Sequence, residues 1–304
     1  MEARFSSRST IYILRCGGML VAPTFFFLPG QHTKIEPGGT MAGTSQRKNA
    51  SPKSEKSTRH KEHPIRVVKM HPGAARVAQA PAAQLTYRGG LLLSAVQVFT
   101  IFWGAAWQDA ANSALMTKVN QFFDYILTSA LMDQLGEYSV DGQSIGHGSR
   151  VGTTVITSQE PGSSVQDGDI QNLIGRGIGD GTLPATTANS LYFVFLPNGV
   201  QVVQGGGASC QVFCGYHDTF GNNIFYAVMP YPGCSGCTGG LAAFDALTST
   251  TSHELCEAIT DPVPGQGWYD DTNGEIGDIC AWKTRKLGDY TVQLEWSNKA
   301  NACV

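Results

Sequence analysis

The chain has 304 residues, 42% hydrophobic and 15% charged, with a formal net charge of −3. That length allows one large domain or two small ones. Residues 1–69 carry 12 Lys and Arg against 4 Asp and Glu, and the remainder 9 against 20, so a basic arm precedes an acidic, Gly-, Ser- and Thr-rich body that is excluded as a nucleic-acid binder.

Residues 10–29 are moderately apolar, but Arg15 and two glycines interrupt them, which makes a weak export signal. Met41 is an alternative start. No run of about 20 apolar residues exists, so no transmembrane helix is expected. Residues 41–83 are basic and polar without an apolar period, and the region 1–84 is expected to be a disordered arm before a folded domain at 85–304.

Residues 89–104 read as a strand pair or one long bent strand. Asp109 is placed to cap a helix whose apolar face runs through Leu115, Val119, Phe122, Phe123, Ile126, Leu127 and Leu131. A strand is expected at 150–159, a shorter helix at 167–181 capped by Asp167 or Asp169, and a buried strand at 190–199. Two strands joined by Gly221-Asn222-Asn223 follow. Residues 240–259 are helical in pattern, Pro262 stops them, and a last strand lies near 290–296. The expected class is α/β, a zincin-like single domain with a mixed sheet backed by helices, one of which is an active-site helix.

Seven of the eight cysteines lie between Cys210 and Cys303. Disulfides in an oxidising, extracellular compartment are favoured over a four-cysteine zinc knot, because neither close pair sits in a ribbon-like context. The odd count leaves one thiol, assigned to Cys256.

The chemistry concentrates in the segment Ser-His-Glu-Leu-Cys-Glu-Ala-Ile-Thr-Asp-Pro, residues 252–262. On a helix, i and i+4 share a face, so His253 and Glu257 reach one ion. Glu254, turned about 100° away, is placed as general base. A catalytic zinc keeps three protein ligands and an open position for water, whose pKa falls to about 7. Glu275, 18 residues after Glu257, is the expected third ligand, with Asp278 as the alternative. This order is similar to that of thermolysin-like zinc proteases, which implies that Asp278 braces His253. His217 is a further candidate, as ligand or transition-state stabiliser, and Asp261 is a rival ligand or a partner of the adjoining turn. Zn²⁺ is the expected ion; a ligand set rich in oxygen admits Mn²⁺ or Ca²⁺. An EF-hand is excluded, because Tyr269 and Cys280 occupy its first and twelfth positions. Trp268 and Tyr269 are candidates for stacking on sugars.

Residues 87–107, the segments Cys-Gly-Tyr-His-Asp-Thr-Phe and Tyr-Ala-Val-Met-Pro-Tyr-Pro-Gly-Cys, the helix segment above and Gly-Trp-Tyr-Asp-Asp-Thr-Asn-Gly-Glu-Ile-Gly-Asp-Ile-Cys together resemble the phosphate-induced protein 1, or EXORDIUM-like, family, in its microbial form. The resemblance spans about residues 85–304. It implies that Glu257, with Glu275 and Asp278, is native to the pattern and not a lost imidazole. It also implies secretion, and either a hydrolase acting on a peptide or cell-wall substrate or a non-catalytic signalling or wall-associated protein.

Overall fold

The computed structural model describes residues 67–72 and 82–304. Its main sheet holds β1 (Val67–Lys69), β2 (Gln97–Trp103), β3 (Ser149–Ile156), β4 (Ser190–Phe195), β5 (Phe213–Phe220) and β6 (Ile224–Met229), in the spatial order β1-β5-β6-β4-β2-β3. β3, β2, β4 and β6 run parallel; β5 is antiparallel to β6, and β1 is antiparallel to β5.

The central strands are apolar on both faces because both faces are covered. Val98 and Phe102 of β2, Leu191, Phe193 and Phe195 of β4, and Phe225, Ala227 and Met229 of β6 form one layer with α1 (Ala110–Ile126), α2 (Ala130–Leu135) and α5 (Ala243–Thr260). Phe99, Ile101 and Trp103, with Tyr192, Val194, Tyr226 and Val228, face α3 (Asp167–Asp180). The result is an α/β architecture with a mixed sheet.

Local chemistry sets the helix ends. Asp109 stands at the N-cap of α1 without a side-chain cap bond. The apolar face expected to run on through Leu131 breaks before Ser129, whose hydroxyl accepts the Leu131 N–H and starts α2. At α3 the cap residue is Gln166, and Asp169 accepts its backbone N–H at 2.9 Å. Asp167 is diverted to the hydroxyls of Tyr216 and Tyr226, each 2.7 Å away.

Other expectations shift. The strand expected over 89–104 is confined to β2, because the chain before it turns and Leu93 N–H bonds Ile259 O at the end of α5. The β5–β6 hairpin turns at Gly221 and Asn223, both at positive φ. β1 falls inside the arm, residues 1–84, expected to lack structure; of that arm, residues 1–66 and 73–81 lie outside the described residues.

Cys210–Cys234 and Cys214–Cys237 tie the start of β5 to the segment around α4 (Ser235–Thr238), and Cys280–Cys303 ties the loop after Asp278 to the chain's end. Among the described residues Cys256 is the free thiol, and it is buried. A hairpin of β7 (Thr284–Leu287) and β8 (Tyr290–Gln293) packs its second strand on α5. No helix among the described residues is long and apolar enough to cross a membrane.

Candidate metal centre

Every residue of α5 from Ala246 to Thr260 is buried, although most are polar or small. A helix so enclosed requires a close approach by its neighbours, and two glycines permit it. A Cβ on Gly215 of β5 would lie 2.6 Å from Met229 Cε and 2.8 Å from Thr250 Cγ2. A Cβ on Gly277 would lie 2.8 Å from His253 Cγ, so the loop carrying Glu275 and Asp278 can rest on the imidazole face.

Three elements thus converge. α5 supplies His253, Glu254 and Glu257; β5 supplies His217; the loop after the Asp270–Gly274 bridge supplies Glu275 and Asp278. His217, His253, Glu254, Glu257 and Glu275 are each 0% exposed. Potential ligand atoms of His253, Glu257 and Asp278 lie within 4.8 Å of one another, and so do those of His217, Glu257 and Glu275.

The expected third ligand is therefore redistributed. Asp278 joins His253 and Glu257, whereas Glu275 Oε1 lies 3.5 Å from His217 Nε2. His253 Nε2 approaches Glu257 Oε1 at 2.9 Å, though not in hydrogen-bond alignment. The bracing role expected of Asp278 belongs to another residue: Gln293 Oε1 lies 3.0 Å from His253 Nδ1. Gln293 is itself fixed, its amide donating to Gly277 O at 2.9 Å and its backbone N–H to Ser252 Oγ at 2.9 Å. Asp278 instead turns its carboxylate to the Glu275 N–H and gives its own N–H to Glu257 Oε1 at 3.1 Å.

His217 Nδ1 lies 3.1 Å from Glu254 Oε2, and its Nε2 lies 3.2 Å from the Asp261 carbonyl. The Asp261 carboxylate accepts the N–H groups of Gly265, Gln266 and Gly267, which makes it the partner of the adjoining turn.

Burial opposes charge throughout, and the outcome differs by residue. Burial lowers His217, but the hydrogen bond and charge of Glu254 outweigh it and raise the ring to about 9. His253 is likewise raised well above its usual value, with Glu257 overcoming burial. Burial raises Glu257 too, yet the charge and contact of His253 hold it below the usual range. Burial, helped by repulsion from Glu257, pushes Glu254 and Asp278 each up to about 6. Glu275 is pushed well above the carboxylate range by burial and then by Glu257, Asp261 and Asp278.

Polar atoms buried without a hydrogen-bond partner gather here: His253 Nε2, Glu254 Oε1, Glu257 Oε2 and both carboxylate oxygens of Glu275. Buried polar atoms in folded proteins are nearly always satisfied. Nitrogen and oxygen donors so clustered fit a borderline or hard divalent cation, Zn²⁺ above all and Mn²⁺ next.

Neighbouring candidates resolve differently. Cys210, Cys234 and Cys237 lie within ligand reach of one another but are committed to disulfides, so no zinc knot forms there. Tyr269 is buried, with the Arg88 guanidinium 4.4 Å from its ring centroid, and Trp268 packs on Tyr87 and Tyr138 while its indole N–H bonds Tyr138 O. Tyr269 is thus buried and Trp268 half-buried, both packed within the loop.

Glu295 carried no signal in the sequence. It is fully buried near His253, Glu257 and Cys256, its oxygens have no hydrogen-bond partner, and burial pushes it well above the carboxylate range.

Compared with known proteins, the chain matches no family model and no curated protein.

Proposed function

We propose that the chain is a metal-dependent hydrolase of zincin type acting on peptides, with the ion held by His253, Glu257 and Asp278. The observation that carries this reading is the cluster of buried, unpartnered donor atoms around a His and a Glu one helical turn apart. A bound divalent ion supplies polarisation of a carbonyl and of the attacking water. Glu254 then has the attributes of a general base. One of its oxygens is held by His217, the other is free, and its pKa of about 6 lies near a neutral working pH. His217, held by the Asp261 carbonyl, keeps Glu254 in place and stores a proton beside it.

On this reading the segment around β1 closes access. Val67 and Val68 pair with Tyr216 and Gly215 on β5, the Trp282 indole N–H bonds Lys69 O at 3.0 Å, and His71 N–H bonds Gly236 O at 2.7 Å. This segment bridges the strand bearing His217 and the loop beyond Asp278. Three disulfides fit an oxidising compartment, and with the EXORDIUM-like resemblance they support an extracellular setting.

The complete burial of the five innermost residues favours a second reading, a non-catalytic extracellular protein with a closed structural ion. One experiment separates the two. Val68 is 3% exposed, so Val68→Asp should lift β1. The zinc-loaded variant should cleave members of a peptide library, and adding Glu254→Gln should abolish cleavage with zinc retained. A zinc-loaded protein that cleaves nothing in either form establishes the structural reading.

A further inference from the structure

We propose that the centre is built for two divalent cations bridged by Glu257. The proposal rests on the reading that the His253 side binds an ion, and adds a second ion on the His217 side.

The first argument is the orientation of Glu257. Its Oε1 lies 2.9 Å from His253 Nε2, and its Oε2 lies 3.6 Å from His217 Nδ1. The two oxygens of one carboxylate thus face two different imidazoles, as in a carboxylate that spans a pair of ions. Each side has a second carboxylate within reach, Asp278 with His253 and Glu275 with His217, where Glu275 Oε1 lies on the Nε2 side of the ring at 3.5 Å and must swing toward Nδ1 to share an ion with it. Ligands about 2.0–2.2 Å from one ion lie within roughly 4.4 Å of each other, so groups within 4.8 Å need only small closure.

The second argument is the matched anchoring of the two rings. His253 places Nδ1 against Gln293 Oε1, and His217 places Nε2 against the Asp261 carbonyl. A carbonyl oxygen only accepts, so in each neutral ring the anchored nitrogen carries the proton. In His253 the remaining nitrogen faces Glu257 Oε1 at 2.9 Å; in His217 it lies 3.1 Å from Glu254 Oε2 and 3.6 Å from Glu257 Oε2, so an ion there would replace the proton held beside Glu254. Histidine ligands are oriented in this way by a partner on the opposite ring nitrogen.

The third argument is charge and satisfaction. Glu254, Glu257, Glu275 and Asp278 carry four negative charges when ionised. One divalent ion offsets half of them and two offset all. The unpartnered atoms also divide between the two sides: His253 Nε2 on one, Glu257 Oε2 and both Glu275 oxygens on the other. A single ion beside His253 leaves the second set bare. Ions sharing a carboxylate sit about 3.5–4 Å apart and clamp both oxygens of a displacement.

The test is metal content and coupling in the full chain. Dialysis against Zn²⁺ followed by elemental analysis should give two ions per chain, and His217→Gln should reduce this to one. Co²⁺ loaded in place of Zn²⁺ should show an exchange-coupled pair by electron paramagnetic resonance, a measurement on the unaltered chain that does not depend on the variant folding. One ion per chain, unchanged in His217→Gln, overturns the proposal and leaves the single-ion reading standing. Two ions without magnetic coupling overturn it as well, because the second then lies elsewhere. No bound ion overturns both.

Discussion

Gln293 Oε1 and His253 Nδ1 lie 3.0 Å apart, a contact made across 40 residues of sequence between β8 and α5. It fixes which imidazole nitrogen remains for the centre. Gln293→Leu should therefore weaken zinc binding by about 10–100-fold, the usual effect of losing such a partner. Competition with a chromophoric chelator measures the affinity, and near-ultraviolet circular dichroism checks the fold.

Acid should affect the metal-free and zinc-loaded proteins in opposite directions. In the metal-free protein His217 is raised to about 9, so its contribution is full below the unfolded value of about 6.5 and is lost as pH rises through 9. Glu254 and Asp278 are raised to about 6, so the folded state binds the extra protons and gains stability as pH falls from 6 toward about 4. Metal-free protein should melt at higher temperature at pH 6 than at pH 9. Zinc requires deprotonated ligands, so the stabilisation it adds should shrink over the same descent. Calorimetric melts with and without chelator give both slopes, and parallel slopes would refute the assignment.

Gly277→Ala places a methyl group 2.8 Å from His253 Cγ. The loop must lift to make room, at a cost of about 1–3 kcal/mol typical of overpacking. Because the lift also moves Glu275 and Asp278, zinc affinity and unfolding free energy should fall together. Chemical denaturation of the metal-free variant separates the two losses.

Glu295→Gln should stabilise the metal-free protein. Its carboxyl is buried, unpartnered and raised well above the usual range, so ionisation of the unfolded chain at neutral pH opposes folding. The amide removes that penalty, so a gain is expected at pH 7.5 that vanishes near pH 4, where the unfolded carboxyl is itself protonated. A loss of stability at pH 7.5 would show that Glu295 is ionised and paired.

The legible part of the centre was the part written in helical spacing. His253 and Glu257 are four residues apart, and periodicity places them on one face wherever the helix lies. Glu275 and Asp278 are separated by two residues of irregular loop, and no spacing rule tells which faces which histidine; Gly277 and the short turn at Asp278–Cys280 decide it. Gln293 and Glu295 belong to the tail that folds back on α5, so their roles arise from a tertiary pairing that leaves no local mark. The fold shows the same division. Strands buried on both faces announced themselves as apolar runs, whereas Val67–Lys69 is too short for any period and becomes a strand only because β5 offers it a free edge.

That edge has a consequence for regulation by mass action. A free peptide contributing only three residues to a sheet would dissociate at ordinary concentrations. β1 stays because it belongs to the same chain as β5, so its pairing is intramolecular. The same three residues offered by a separate peptide would make that equilibrium bimolecular, and dilution alone would then empty the edge beside His217.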